Sequence, residues 1–113
     1  MTEFWLSFLP DGLQSVGVSL EDQHVFETAF PISRVVEVID CLEEHDILIL
    51  GGDFWKRDEK QFLPTHENWY ADETTVGSRL AVQTAAVGAR TAIAKHVNDL
   101  NIWVVIVASA GEV

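Results

Sequence analysis

The sequence predicts an α+β fold: a two-layer sandwich in which two main helices cover a mixed sheet of about four or five strands. Three observations predict it. Residues 31–45 and 78–98 carry apolar side chains at helical spacing. Residues 47–50 and 102–108 are short apolar runs with no polar alternation, as buried strands are. Between them lies a turn-rich stretch holding two of the four tryptophans and the only tyrosine. At 113 residues the chain makes one domain, 1–113, without internal repeats or low-complexity tracts. A globule of this size buries roughly two thirds of the surface its unfolded form exposes, which is enough for a core without metal or disulfide.

Taken in order, Phe4, Trp5, Leu6, Phe8 and Leu9 suit a brief helix and a brief strand equally well, and Pro10-Asp11-Gly12 stops them with a turn. Leu13 and Val16, at i and i+3 before Gly17, suit one or two helical turns closed by a glycine. Residues 24–30 alternate, with Phe26, Thr28 and Phe30 on one side, as a half-buried strand does. Pro31 then suits the first helical position, and Ile32, Val35, Val36, Ile39 and Leu42 recur on one face. The far face holds Ser33, Glu37, Asp40, Cys41 and Glu44.

Residues 47–50 read as a strand buried on both faces. Gly51-Gly52 ends or bulges it, because glycine permits backbone angles that a side chain forbids. Phe54-Trp55-Lys56 and Gln61-Phe62-Leu63 flank Arg57-Asp58-Glu59-Lys60 as a hairpin flanks its charged tip. A polar connection at 71–77 leads to a second helical face marked by Val82, Ala86, Ala89, Ile93 and Val97, where Gly88 fits a close crossing. Residues 102–108 are β-branched and continuously apolar, hence a central strand.

Charge narrows the function. Eighteen acids against seven bases give a net charge of −11, and residues 1–55 hold all of the bases' deficit but one, with Arg34 their only cation. Such a field disfavours nucleic acid and anionic membrane as partners and favours a basic macromolecule. Cys41 is the only cysteine, which points to a reducing, cytoplasmic compartment. The first residues lack the basic segment and apolar core of a signal peptide, and no apolar run is long enough to span a bilayer.

No motif calls for a cofactor or a metal. His66-Glu67 starts the zinc-protease pattern, but Tyr70 stands where the second histidine belongs. His24, His45, His66 and His96 show no ligand spacing, and Gly51-Gly52-Asp53 matches no phosphate-binding loop. Cys41 sits among Asp40, Glu43 and Glu44, whose charge suppresses its thiolate. Two chemical readings remain open: a small hydrolase using Asp53, Glu67 and His66, and a sugar or nucleotide module stacking its ligand on Trp55 and Trp69. Against them stands the acidic ridge Glu37, Asp40, Glu43 and Glu44, which suits docking of a basic protein.

The run 13–19, then Ala29, a helix, Ile49-Leu50-Gly51-Gly52-Asp53-Phe54-Trp55-Lys56, Pro64-Thr65 and Glu67-Asn68-Trp69-Tyr70 resembles the immunity protein 40 family of bacterial polymorphic toxin systems. The resemblance spans about residues 13–107 and rests on two motifs in order after one helix. Glu67 stands where that family has aspartate, and Phe54-Trp55 where it has a smaller residue and a tyrosine. The resemblance implies an α+β protein, not an enzyme, that protects its cell by binding a cognate toxin domain. Gly51, Gly52, Asp53, Asn68, Trp69 and Tyr70 are the motif positions carried over. On this reading Glu37, Asp40, Glu43 and Glu44 steer and dock a basic toxin, and segment 53–70 supplies aromatic anchors or holds the loop that does.

Overall fold

A computed structural model describes residues 3–21, 27–71 and 79–109. It consists of a 3-10 helix Phe4–Phe8, α1 (Asp11–Gln14), β1 (Val18–Ser19), β2 (Thr28–Pro31), α2 (Val35–Glu44), β3 (Leu48–Asp58), β4 (Gln61–Tyr70), α3 (Arg79–Ala94) and β5 (Ile102–Ser109). The five strands form one sheet in the order β1-β2-β5-β3-β4. The α+β class is therefore as expected, with five strands.

Every neighbouring pair in that sheet is antiparallel, where a mixed sheet was expected. The cause is an interlock of two crossovers. Helix α2 joins β2 to β3 and helix α3 joins β4 to β5, so each helix connects strands of like direction. The slot between each such pair is filled, by β5 in one case and by β3 in the other. Like-directed strands thus never touch.

The start of α2 is a second correction. Pro31 ends β2, opposite Trp103, instead of opening a helix at residue 31. The Ile32 amide bonds back to the Ile102 carbonyl, so the Pro31 nitrogen faces away from β5, and β1 pairs only with Thr28 and Ala29. Its missing donor leaves nothing unpaired there. A turn closed by the Arg34 amide on the Pro31 carbonyl follows, and α2 runs from Val35 to Glu44. Val35, Val38, Ile39 and Leu42 are buried at i, i+3, i+4 and i+7, while Val36 is turned outward. Residues 24–26 of the expected strand lie outside the described residues, as do 72–78 between β4 and α3.

Helix α3 ends at Ala94, short of residue 98, which leaves Val97 half exposed. It packs through Ala81, Val82, Ala85, Ala86, Ala89 and Ile93. Gly88 points into open space, so the alanines and not the glycine make the close approach. Both helices lie on one face of the sheet, against Phe30, Phe54, Val104 and Ile106. The other face carries a smaller cluster, Leu20, Ala29, Phe62 and Val105, edged by Val18, Trp55 and Trp103, with no described helix over it.

Residues 47–50 and the predicted hairpin are one continuous strand, β3, which passes through Gly51-Gly52 without ending. Its pairing with β5 slips between Ile49 and Gly51, so Leu50 is an extra residue and is pushed outward, 41% exposed. The expected burial of this segment therefore holds for Ile47, Leu48 and Ile49 only. The Leu50 carbonyl takes the Ala71 amide at 2.9 Å.

Candidate functional site

The two motifs are partners in a ladder. Gly51 faces Tyr70, Gly52 faces Trp69 and Asp53 faces Asn68 across β3 and β4, so one motif is read against the other in reverse. Each glycine has a reason. A Cβ on Gly52 would sit 2.3 Å from the Trp69 ring and 2.7 Å from the Val105 carbonyl oxygen. A Cβ on Gly51, whose φ is +156°, would meet the Trp69 carbonyl oxygen at 2.3 Å. The indole lies over the bare backbone of Gly52 and packs at a tilt against Phe54, ring centres 5.4 Å apart.

Strand alternation sends the neighbours Trp69 and Tyr70 to opposite faces. Trp69 packs against the helix-covered core, while Tyr70 is 77% exposed on the open face. The open face reads in rows. One row is Val107, Gly51 and Tyr70; the next is Ala29, Val105, Asp53 and Asn68; a third is Pro31, Trp103, Trp55 and Pro64. At the hairpin end Arg57 lies over the rings of Phe62 and Trp103, 5.1 and 4.9 Å from their centres.

Near the glycines the open face has a hollow of about 300 Å³ lined by Leu50, Gly51, Gly52, Asp53, Tyr70 and Val107. No described residue pairs with the Asp53 carboxylate. Among the described residues Glu27, just before β2, also has no partner for its carboxylate, and its pKa is raised, by burial first and by the charge of Asp53 second. Burial likewise raises Glu3, with Glu27 adding to it. The glycine end of this face is thus acidic and the hairpin end cationic.

The acidic ridge of α2 is differently placed from its sequence reading. Arg90 of α3 pairs with both Asp40, at 2.8 Å, and Glu43, whose side chain is only 20% exposed. Those two partners lift the already high pKa of Arg90 further, the Glu43 hydrogen bond most. Arg34 pairs with Glu37, and Arg79 reaches Asp46 and the Glu43 carbonyl. Of the four predicted docking acids, Glu44 is exposed without a described ion partner, Glu37 and Asp40 are exposed but paired to Arg34 and Arg90, and Glu43 is tied and half-buried. The Cys41 thiol donates to the Phe8 carbonyl at 3.2 Å, and burial together with Glu44 raises its pKa. It is held in its inert form.

The hydrolase reading meets a partial arrangement. Asp53, His66 and Glu67 all border a shallow hollow of about 230 Å³ where Thr65, His66 and Glu67 bulge opposite Phe54. Yet the Glu67 carboxylate accepts from His96 Nε2 at 2.7 Å, and no hydrogen bond joins His66 to either acid. The three residues thus share a hollow but form no hydrogen-bonded relay, and Glu67 is engaged by His96 instead. Trp55 and Trp69 fail as a stacking pair for a simpler reason: they occupy opposite faces, Trp55 beside Trp103 and Trp69 beside Gly52.

Sequence reading missed several residues of the site. Thr65 organises the β4 bulge, donating to the Phe54 carbonyl at 2.6 Å and accepting from the Glu67 amide, while His66 takes φ +64°. A threonine two residues before the acid was the available signal. His96, stacked on Phe54 at 4.5 Å and bonded to Glu67, carried no local signal at all. Leu50, Val107 and Glu27 were likewise unforeseen as site residues.

Together these features define a small, acidic α+β domain with one helix-covered sheet face and one over which no described helix lies. The chain belongs to the immunity protein 40 family, whose sequence pattern matches residues 13–108. No curated protein and no solved structure is significantly similar to it. None of the described helices is long and apolar enough to cross a membrane.

Proposed function

We infer that this protein is a non-enzymatic immunity protein that neutralises a cognate, basic toxin domain by binding it in the cytoplasm. Membership of the immunity protein 40 family is the observation that carries this reading. The net charge of −11 supports it, since an acidic inhibitor gains encounter rate and complementarity against a basic partner. Glu44, and the exposed Glu37 beside its partner Arg34, steer the approach; Asp40 and Glu43 serve chiefly to hold α2 against α3.

The test is growth rescue. The C-terminal domain of the toxin encoded beside this gene is expressed in a sensitive host with and without this protein. Rescue with co-purification is the expected result; toxicity that persists despite soluble immunity protein would sink the reading. Steering has its own signature. Glu37→Lys with Glu44→Lys should slow association several-fold at low salt and leave it unchanged at high salt, and a rate indifferent to both charge and salt would remove the steering role.

A further inference from the structure

We propose that the hollow beside Gly51-Gly52 on the open sheet face receives an arginine or lysine side chain of the cognate toxin, held by Asp53 and flanked by Tyr70. The inference rests on the immunity reading and assigns it a surface. That surface differs from the α2 ridge.

Charge complementarity carries the choice of occupant. On the helix side three of the seven bases are consumed in pairing acids: Arg34 with Glu37, Arg79 with Asp46, and Arg90 with Asp40 and Glu43. On the open face no described base reaches Asp53 or Glu27, and the one arginine there, Arg57, lies at the far end on Phe62 and Trp103. Two neighbouring carboxylates without a described counter-charge are unfavourable together in the free protein. A partner's cation placed between them removes that cost.

The walls fit the same occupant. Leu50, Val107 and Tyr70 are exposed around a hollow of about 300 Å³, enough for the aliphatic stem of a long cationic side chain, with its charged head at Asp53. Tyr70 adds an aromatic face for the cation and a large contact area with few rotatable bonds. Leu50 stands outward only because of the bulge at Gly51, and Gly51, the next residue on this face, puts no side chain into the hollow. A second copy of this chain is a poor occupant, since it would set Asp53 and Glu27 against their own duplicates.

Tyr70 is the only tyrosine, so nitration with tetranitromethane reports on it alone when read by mass at its peptide. The wild-type protein, free and in complex with the C-terminal toxin domain, is compared first. Rapid nitration of the free protein and protection in the complex are expected; equal rates in both would overturn the proposal while the immunity reading stood. Protection already present in a self-associated free protein would overturn it in favour of a homodimer. Asp53→Asn and Tyr70→Ala, neither with a lowered thermal midpoint, should each raise the Kd for the toxin domain at least tenfold. A smaller rise in either, with wild type bound tightly, assigns the interface elsewhere, and a wild-type protein that does not bind at all overturns both readings.

Discussion

The two faces of the sheet treat the same strand in opposite ways, and Trp69 and Tyr70 make the contrast within two residues. On the covered face the indole lies on Gly52 and Phe54 beneath α3, and it stabilises the β3–β4 ladder. On the open face Tyr70 has 77% of its surface in water and no described partner. The charges divide the same way: Glu37, Asp40 and Glu43 of α2 are paired to arginines, and no described base pairs with Asp53 or Glu27 on the open face. A family motif therefore mixes residues kept for folding with residues free for contact, and only the side of the sheet tells them apart.

Gly52→Val gives the sharpest break on the folding side. The new side chain would start 2.3 Å from the Trp69 ring and 2.7 Å from the Val105 carbonyl. A loss of about 3 kcal/mol or more in urea denaturation is expected, because the ring and the central strand must both move. A loss under about 1 kcal/mol would mean the glycine is not kept for the tryptophan.

The neighbouring pair comes next. Trp69→Ala should cost about 3 kcal/mol by the loss of its packing, whereas Tyr70→Ala should stay within about 0.5 kcal/mol of wild type. Equal losses in the two variants would erase the distinction between the faces.

Arg90→Met asks whether the α2 acids are truly internal. It leaves Asp40 and Glu43 without their cation, and a loss of about 1 kcal/mol is expected at low salt. The loss should shrink as salt screens the freed repulsion. No loss at any salt would return those two acids to the pool of candidate docking groups.

The smallest effect separates the faces by pH. Glu27 and Glu3 have pKa values raised in the folded protein, by burial first and by neighbouring acids second. Their charged forms are thus disfavoured by folding, so the associated stability is full below the unfolded value of 4.5 and is lost as pH rises through the raised folded values. The thermal midpoint should climb by about 2 °C as pH falls from neutral to mildly acid. Asp53→Asn should reduce that climb, and an unchanged climb would show that Asp53 does not act on Glu27.

Much of this division was visible in the residues. The core face of α2 follows from Val35, Ile39 and Leu42 at helical spacing, and the central place of β5 follows from its unbroken β-branched run. The hairpin tip at Glu59 and Lys60 follows from its charges. What failed did so where one residue type serves two backbones. Proline opens helices and also ends strands where no partner needs its amide, and Pro31 does the second. The glycine pair marks a stop or a bulge alike, and only pairing with β5 decides for the bulge.

The site was less legible for a related reason. The acidic ridge was read from α2 alone, and Arg90 lies 47 residues beyond Glu43, so no local pattern shows that the ridge is paired. Likewise Trp55 and Trp69 look like one aromatic cluster in sequence. The β4 bulge and strand alternation put them on opposite faces.

The place of β5 also governs the order in which the protein takes shape as it is made. Strand β5, residues 102–109, fills the gap between β2 and β3, and both of those leave the ribosome well before it. Until then the β3–β4 hairpin and the β2 segment each present a bare edge of unpaired amides and carbonyls. The sheet closes only through contacts between distant parts of the chain, which makes closure the slow step. A stall or cut before residue 102 therefore leaves two separate half-sheets with open edges, prone to pair with other chains and without the Val107 wall of the hollow.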